Sequence, residues 1–310
     1  MNIAFFEIKE EEKAFFESRL TGHRLFFFEG TIQQELTKTE TFDIVSLFID
    51  SRIEDDLLSL LPNLKYLQTR STGFEHVKCQ ALYSREMRVS NVSGYAGPAV
   101  AEFAFSLLLN ISRQTHTALT RSEQGNGAYL DLKGFELQDK TIAILGLGTI
   151  GIHMAKIAKG FGMHLMGYTR THRPVYDEIG IQLTTLEEVL KKADILMLAL
   201  PLTPATTDLI NTENSPLIKP EAVIINVARC EVIEPCLYHI LPNRIASDVC
   251  SDIALAKKEN FFYTPHMAYY TKEALQRIQE ISLKNMQQFI AGETPQNCLK
   301  LMCAKEYGHA

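Results

Sequence analysis

Arg229 and His266 are residue types that can bind an anion and move a proton, and each directly follows an apolar run. Arg229 comes after AVIINVA, and His266 comes after FFYTP. Because open parallel sheets bind ligands at the carboxyl ends of their strands, both side chains are expected at such an edge. A cation of this type can orient a carboxylate, and a histidine can protonate an oxygen on which negative charge develops. Taken alone, either residue is more often a surface arginine or a satisfied core histidine.

A glycine motif earlier in the chain predicts a dinucleotide site. The sequence GLGTIG at 146–151 follows the apolar run TIAIL and opens the helical segment IHMAKIAKGFG, and a second apolar run, MHLMGYT, ends about twenty residues later. Gly146 is expected to allow the tight turn, Gly148 to let the backbone approach a pyrophosphate, and Gly151 to bring helix and strand together. The pyrophosphate would bind at the helix N-terminus, beside Thr149 and Ile150.

The end of the second run favours NADP(H) over NAD. NAD enzymes usually carry an acidic residue there, which binds the ribose 2′-hydroxyl. This chain instead has Thr169 and Arg170, with Arg173 shortly after them. No carboxylate at this point would repel a 2′-phosphate, and two guanidinium groups could hold one. NADP(H) is therefore the predicted cofactor, and NAD is the alternative if the arginines are solvated loop residues.

Length and composition limit the class of protein. The 310 residues with 46% hydrophobic content are enough for two cores, and a net charge of -6 argues against nucleic-acid binding. The N-terminus lacks the basic region of a secretory signal, and no apolar run approaches roughly 18 residues. The six cysteines show neither a CxxC pair nor zinc-type spacing, so no disulfide framework and no metal site are expected. We expect a cytoplasmic protein with a small-molecule partner, and no membrane or nucleic-acid partner.

The segments that carry these residues alternate as in parallel α/β layers. In the first ninety residues, β-like runs such as DIVSLFI alternate with polar helical stretches such as EEEKAFFESRL, and a second series begins after RSEQGNGAYLDLKG. Between the two series, residues 97–121 predict one helix that is apolar on nearly every face and therefore buried. Residues 271–291 predict an amphipathic helix near the C-terminus.

The ordered set of motifs resembles the D-2-hydroxyacid dehydrogenase family over nearly the whole chain. The motifs are RSTGFEHV at 70–77, VSGYAGPAVAEFAFSLLL at 92–109, GFELQDKTIAILGLGTIG at 134–151, PLTPATTDLI at 201–210, INVAR at 225–229 and TPHMAYYT at 264–271. The resemblance implies an α/β fold with two Rossmann/flavodoxin-like, doubly wound parallel-sheet domains. Residues 1–92 and 269–310 would form a discontinuous substrate domain, and residues 93–268 the dinucleotide-binding domain. The resemblance also implies a homodimer.

Carried over position by position, the resemblance assigns roles around the substrate. It makes Arg229 the clamp for the substrate carboxylate and His266 the acid/base. The other substrate-binding positions are Ser71, Thr72 and Gly73, which would supply backbone donors, Tyr95, which would lie in the active site, and Tyr269, which would line the side-chain pocket.

On the cofactor side, the resemblance adds Pro201 and Asp248, and places Asp248 near the nicotinamide carboxamide. Two neighbouring positions depart from the family pattern. Cys230 replaces the usual glycine after the arginine, and Ala199 replaces a histidine that is common before PLT. Both changes are expected to face the cofactor.

The most consequential departure concerns the carboxylate that should accompany His266. The family carries a catalytic Glu five residues after the aspartate, but position 253 of this chain is Ile. Asp252 is the candidate replacement, with Glu259 as an alternative. A carboxylate is expected there because it would orient the imidazole and raise its pKa.

The predicted function is hydride transfer between a nicotinamide cofactor and a small 2-keto acid or D-2-hydroxy acid. HMAYYT is close to the D-lactate dehydrogenase form of its motif, so the resemblance favours pyruvate or a small homologue. Arg170 and Arg173 favour the alternative, a glyoxylate/hydroxypyruvate reductase. A further alternative is a weakly active NAD(P)-binding regulator on the same scaffold, suggested by Ile253 and opposed by the retention of Arg229 and His266.

Overall fold

The computed structural model of the chain describes residues 1–77, 82, 87–250, 252, 254, 255 and 258–299. The chain divides into two compact units, one formed by Met1–Tyr95 with Lys272–Ala310 and the other by Ala96–Thr271. Each unit is built on a parallel sheet, which confirms the predicted α/β class of two doubly wound domains. None of the helices in the described ranges is both long and apolar enough to span a bilayer.

The first unit contains a five-stranded parallel sheet in the order β2-β1-β3-β4-β5. Its elements are β1 (Asn2–Phe5), α1 (Glu10–Glu17), β2 (Arg24–Phe27), α2 (Ile32–Glu35), β3 (Ile44–Leu47), α3 (Asp55–Ser59), β4 (Tyr66–Thr69), β5 (Arg88–Ser90) and α10 (Lys272–Ile290). Successive residues of β1 face opposite sides: Ile3 and Phe5 join one apolar cluster, and Ala4 joins the other. Cover on both faces explains why these strands read as continuous apolar runs.

The second unit contains a seven-stranded parallel sheet in the order β12-β11-β10-β9-β6-β7-β8. Its strands are β6 (Thr141–Leu145), β7 (His164–Tyr168), β8 (Gln182–Leu183), β9 (Ile195–Leu198), β10 (Val223–Asn226), β11 (Arg244–Ser247) and β12 (Phe261–Tyr263). Its described helices are α4 (Gly97–Arg113), α5 (Thr115–Glu123), α6 (Thr149–Gly160), α7 (Pro174–Ile179), α8 (Leu186–Lys192) and α9 (Leu237–Ile240). The sequence reasoning missed β8, because a two-residue strand has no measurable periodicity.

The prediction of one continuous helix over 97–121 is wrong at Gln114. This residue adopts a left-handed conformation (φ 51°), which ends α4 at Arg113 and starts α5 at Thr115. The Asn110 side chain then accepts hydrogen bonds from the Thr115 hydroxyl at 2.9 Å and the His116 N–H at 2.8 Å. The expected burial holds for α4, where ten residues are buried, but α5 buries none.

Candidate active site

Close contacts within the protein require glycine at two positions of the turn between β6 and α6. Gly146 has φ +97°, and a Cβ on it would lie 2.6 Å from the carbonyl oxygen of Ala199. A Cβ on Gly151 would lie 2.0 Å from the carbonyl oxygen of Gly146. Any other residue at these two positions would force strand, turn and helix apart.

Gly148 differs from its two neighbours, because a Cβ on it would meet nothing within 4 Å. It is the N-cap of α6, and no side chain caps that end of the helix. The first backbone N–H groups of α6, beginning at Thr149 and Ile150, therefore point out of a turn that has room for an external group. This cradle fits the pyrophosphate of a dinucleotide.

The loop after β7 presents cationic side chains. Arg170 and Arg173 are exposed, Thr169 is half-buried, and within the described ranges we find no hydrogen bond or ion pair for either guanidinium group. The first acidic residue after them, Asp177, pairs with His172 at 2.9 Å. No carboxylate thus occupies the end of β7 itself.

The loop after β9 begins at Ala199 and includes Pro201. Its shape is fixed by Thr206, whose hydroxyl donates to the carbonyl oxygen of Pro201 at 2.6 Å and accepts from the Thr203 N–H at 2.8 Å. The main chain of Ala199 packs on Gly146, so this loop borders the glycine turn.

Arg229 lies in the turn that follows the carboxyl end of β10, and the Asn226 side chain holds this turn by hydrogen bonds. The fully buried Asn226 side chain donates to the carbonyl oxygen of Arg229 at 2.9 Å and accepts from the Ala228 N–H at 2.9 Å. The Arg229 guanidinium donates to the Ala228 carbonyl oxygen at 2.7 Å. The sequence reasoning missed Asn226, although its position in INVAR, three residues before the arginine, was the available signal.

His266 follows β12 in a loop that the Asp248 carboxylate organises. Its backbone is left-handed (φ 54°), which is uncommon for a residue other than glycine. The Asp248 carboxylate, which is 1% exposed, accepts from the Thr264 hydroxyl at 2.6 Å and from the N–H groups of Met267 at 2.9 Å and Ala268 at 2.8 Å. The residues on both sides of His266 are therefore fastened to the end of β11.

Burial of its ring lowers the pKa of His266 below its ordinary value of 6.5. The negative charge of Asp248 acts to raise that pKa, and the positive charge of Arg229 acts to lower it. Both charges therefore act on the imidazole, which places the two predicted catalytic side chains in one electrostatic environment. The Tyr269 ring lies edge-on to the imidazole, with 6.2 Å between the ring centroids.

The structure places Asp252 with partners other than His266. Its carboxylate accepts from the Ala254 N–H at 2.8 Å and lies 3.8 Å from the His239 imidazole. Glu259 is exposed, and no contact in the described ranges links it to His266. Position 253 lies outside the described residues. Within the described residues, Asp248 is the carboxylate whose charge acts on His266.

In the first unit, the predicted substrate-binding segment follows β4. Ser71 donates to the Gly73 carbonyl oxygen at 2.6 Å, Thr72 donates to the Val92 carbonyl oxygen at 2.9 Å, and the Asn91 amide donates to the Thr72 carbonyl oxygen at 2.7 Å. Side chains thus hold the turn. The backbone N–H groups that the resemblance assigns to the substrate belong to a segment of fixed shape.

Arg70 anchors this segment from inside the first unit and was not singled out from the sequence. Its side chain is fully buried and donates to the carbonyl oxygens of Phe6 at 2.8 Å and Glu7 at 2.7 Å and to the Ser46 hydroxyl at 3.1 Å. Because arginine is seldom fully buried, its residue type did not indicate a structural role inside the unit. Tyr95 is also buried and is the last residue of the first segment of this unit, and its carbonyl oxygen accepts from the Arg277 side chain at 2.7 Å.

Comparisons with known proteins agree with the fold and the glycine turn. The family model for the D-isomer specific 2-hydroxyacid dehydrogenase NAD binding domain matches residues 105–268. The chain is 31% identical to the glyoxylate reductase of Thermococcus litoralis over 281 residues, 84% of this chain and 85% of that one. It is similar to the apo-structure of Escherichia coli D-lactate dehydrogenase (TM-score 0.85, 27% identity, 96% and 100% of the two chains). It is also similar to Aquifex aeolicus D-lactate dehydrogenase complexed with NAD and lactic acid (TM-score 0.84, 28% identity, 94% and 96%).

The parallel sheets and the dinucleotide turn, together with these relatives, define the class as a nicotinamide-dependent oxidoreductase. The family model covers more than half of the chain. The chain therefore belongs to the D-isomer specific 2-hydroxyacid dehydrogenase family. It is an enzyme that transfers hydride between a nicotinamide cofactor and a small 2-keto acid or D-2-hydroxy acid.

Proposed function

We propose that this enzyme reduces short 2-keto acids of the pyruvate type to the D-2-hydroxy acid, with NADPH as the preferred reductant. The observation that supports it most is the position of Arg229 and His266, which follow β10 and β12 at the carboxyl edge of the second sheet, where the charge of Arg229 acts to lower the pKa of His266. An arginine for the carboxylate and a histidine for the oxygen are the two groups that the reaction needs beside its cofactor. Similarity to two D-lactate dehydrogenases, one solved with NAD and lactic acid, supports a substrate of this size.

Arg229 would bind the substrate carboxylate through two parallel N–H donors of its guanidinium group. The contact with the Ala228 carbonyl oxygen and the Asn226 clamp on its main chain limit the freedom of this side chain. A fixed guanidinium orients the adjacent carbonyl before reaction, so less ordering remains for the transition state.

His266 would donate the proton that the carbonyl oxygen needs. The nicotinamide supplies hydride when the cofactor is bound, and negative charge then develops on that oxygen. Burial and the charge of Arg229 lower the pKa of His266, which makes the imidazolium a stronger acid but reduces the protonated fraction at neutral pH. The Asp248 clamp would keep the loop in place while the proton moves.

The preference for NADPH rests on the loop after β7. Arg170 and Arg173 are exposed at the end of the strand where NAD enzymes usually place a carboxylate. Two guanidinium groups would bind a 2′-phosphate by charge-assisted hydrogen bonds. We assign Thr169 to the same adenosine ribose region, and Gly146, Gly148 and Gly151 to the pyrophosphate turn.

Glyoxylate reduction is the second candidate. It is favoured by the 31% identity to the Thermococcus litoralis glyoxylate reductase. Glyoxylate has the same carboxylate and carbonyl groups as pyruvate, so Arg229 and His266 would act in the same way. The two candidates differ only in the space required beside the carbonyl carbon, where we place Tyr269.

A steady-state assay of the full-length enzyme tests the proposal. The oxidation of NADPH or NADH would be followed with pyruvate, 2-ketobutyrate, hydroxypyruvate and glyoxylate, and chiral chromatography would assign the product. We expect the highest kcat/KM for pyruvate with NADPH and a D-configured product. A higher kcat/KM for glyoxylate would establish the second candidate. Binding of NADPH without turnover of any keto acid would indicate the regulator instead.

Several assignments stay predictions from the sequence. They comprise substrate binding by Ser71, Thr72, Gly73 and Tyr95, cofactor contacts by Pro201 and Asp248, a homodimer, and a cytoplasmic location. For Asp252, the contacts with Ala254 and His239 favour a structural role over the catalytic one.

A further inference from the structure

A buried tyrosine binds the main chain of the glycine turn. Tyr176 lies on α7 and is 1% exposed, and its hydroxyl donates to the carbonyl oxygen of Leu147 at 2.8 Å. Leu147 is the residue between Gly146 and Gly148 in the turn after β6. Because Tyr176 follows Leu147 by 29 residues along the chain, the sequence alone gave no signal for this contact.

The side chain of Leu147 and the start of the turn are held by β7. Leu147 is buried, and a Cβ on Gly167 would lie 2.7 Å from its Cδ1 atom, so the strand and this side chain are in close contact. The Gly146 N–H donates to the Tyr168 carbonyl oxygen at 2.9 Å. These contacts leave the peptide between Leu147 and Gly148 to be fixed by another group, and the Tyr176 hydroxyl is that group.

The Leu147–Gly148 peptide carries both the acceptor for Tyr176 and a donor for a ligand. The peptide is trans and planar, so its C=O and N–H groups point in opposite directions. The Leu147 carbonyl oxygen is directed to the buried hydroxyl, and the Gly148 N–H is therefore directed away from it. A Cβ on Gly148 would meet no atom within 4 Å, so the turn has room for an external group at this residue.

We propose that Tyr176 is a positioning residue for the nicotinamide cofactor, because its hydroxyl fixes the peptide plane that presents the Gly148 N–H to the pyrophosphate. This role rests on the proposed function of the turn as the pyrophosphate site. Tyr176 is too deeply buried to touch the cofactor and acts through the main chain. Without the hydroxyl, the Leu147 carbonyl oxygen would lose its partner, and rotation of the peptide towards water would turn the Gly148 N–H away from the cofactor.

The position of Tyr176 is itself set by contacts at both ends of α7. Arg173 is the N-cap of this helix, and its carbonyl oxygen accepts from the Tyr176 N–H at 3.0 Å. At the other end, the Lys159 side chain on α6 donates to the Ile179 carbonyl oxygen at 2.7 Å. The α7 helix therefore joins the loop that carries Arg173 to the helix that follows the glycine turn.

A conservative variant of the full-length protein tests this role. Tyr176→Phe removes one oxygen atom and keeps the buried ring. The dissociation constants of NADPH and NADH would be measured by fluorescence titration. We expect both to rise by about threefold to tenfold, the range of one neutral hydrogen bond, because the two cofactors share the pyrophosphate. With saturating cofactor and pyruvate, kcat should not fall, since the reacting groups are unchanged.

Tyr66→Phe is the matched control. Tyr66 is a fully buried tyrosine of the first unit, and its hydroxyl forms a hydrogen bond with the Ser90 hydroxyl. Urea denaturation should show a similar loss in the free energy of unfolding for Tyr66→Phe and Tyr176→Phe. Only Tyr176→Phe should weaken the binding of the cofactors. A purely structural role for Tyr176 predicts instead that both variants keep the wild-type dissociation constants.

Two results would overturn the proposal: wild-type dissociation constants in Tyr176→Phe, or an effect confined to NADPH, which would place the action of Tyr176 at the arginine loop. Gly148→Ala distinguishes this failure from a failure of the proposed pyrophosphate site. If Gly148→Ala weakens both cofactors and Tyr176→Phe weakens neither, only the positioning role is wrong. If neither variant changes the affinity, the assignment of the pyrophosphate to this turn is wrong as well.

Discussion

The glycine turn after β6 and the loop that carries His266 belong to the same sheet edge, but they are specified in different ways. In the glycine turn, steric contacts demand the residue type, since a Cβ on Gly151 would lie 2.0 Å from the Gly146 carbonyl oxygen. In the His266 loop, a buried carboxylate holds the backbone, and burial and charge set the pKa of the imidazole. The shape of the glycine turn therefore depends on the absence of a side chain, whereas the shape of the His266 loop depends on the hydrogen bonds that one buried carboxylate accepts.

The largest expected effect concerns Arg229, the cation whose charge acts on the imidazole in the His266 loop. Arg229→Lys keeps the positive charge but removes the planar fork that would bind the substrate carboxylate. We expect kcat/KM for pyruvate to fall at least roughly a hundredfold, about 2.7 kcal/mol of transition-state stabilisation. Fluorescence titration with NADPH serves as the control and should change little. Near-normal turnover by the lysine variant would show that charge alone suffices and that Arg229 is not a bidentate clamp.

The steric half can be tested with two alanine substitutions in one turn. Gly151→Ala should lower the free energy of unfolding by about 1–3 kcal/mol, because the new Cβ collides with a main-chain oxygen. Gly148→Ala is the matched control: its Cβ meets no protein atom within 4 Å, so the free energy of unfolding should change by less than about 0.5 kcal/mol.

Gly148→Ala should nevertheless weaken NADPH binding, because its Cβ would occupy the space in which the pyrophosphate approaches the backbone. Urea unfolding and NADPH titration of both variants separate the two effects. Equal NADPH affinity in Gly148→Ala and wild type would remove the argument that this turn binds the pyrophosphate.

The same contrast explains what the sequence could predict. The strands were recognisable because each is a short apolar run buried on both faces, and GLGTIG was recognisable because glycine spacing reflects local backbone contacts. The helix break at Gln114 was not, since a left-handed glutamine has no sequence signature and the Asn110 side chain that caps α5 appears only in three dimensions.

At the candidate site, residue types were easier to predict than their partners. Asp252 was assigned to His266 by proximity in sequence to position 253, yet its contacts are with Ala254 and His239. The carboxylate whose negative charge acts on His266 is that of Asp248, eighteen residues away along the chain, and the pairing of β12 with β11 brings the two residues near each other. A one-dimensional spacing rule carries no information on which neighbouring strand a loop folds against.

A smaller effect is expected from the loop after β7, where two exposed arginines would bind the cofactor by their charge. The double variant Arg170→Ala/Arg173→Ala should weaken NADPH binding by about tenfold to a hundredfold through the loss of charged hydrogen bonds, and leave NADH binding nearly unchanged. Arg113→Ala, an exposed arginine of the same unit, is the matched control and should alter neither affinity. Identical titration curves for NADPH and NADH with the wild-type enzyme would contradict the proposed preference.

The smallest and most diagnostic effect is a shift in pH dependence. In the proposed mechanism reduction needs protonated His266, so we expect the rate to fall as pH rises through the pKa of this residue, which burial already lowers. Asp248→Asn removes the negative charge that raises this pKa, and the alkaline limb of the kcat/KM profile should therefore move to lower pH. Asp252→Asn, whose carboxylate contacts Ala254 and His239, should leave the limb where it is. NMR titration of the His266 imidazole gives a readout independent of turnover: its pKa should fall in Asp248→Asn and rise in Arg229→Gln, where a repelling cation is lost. A limb that moves in Asp252→Asn but not in Asp248→Asn would return the role of acidic partner to Asp252 and reverse the assignment made from the strand order.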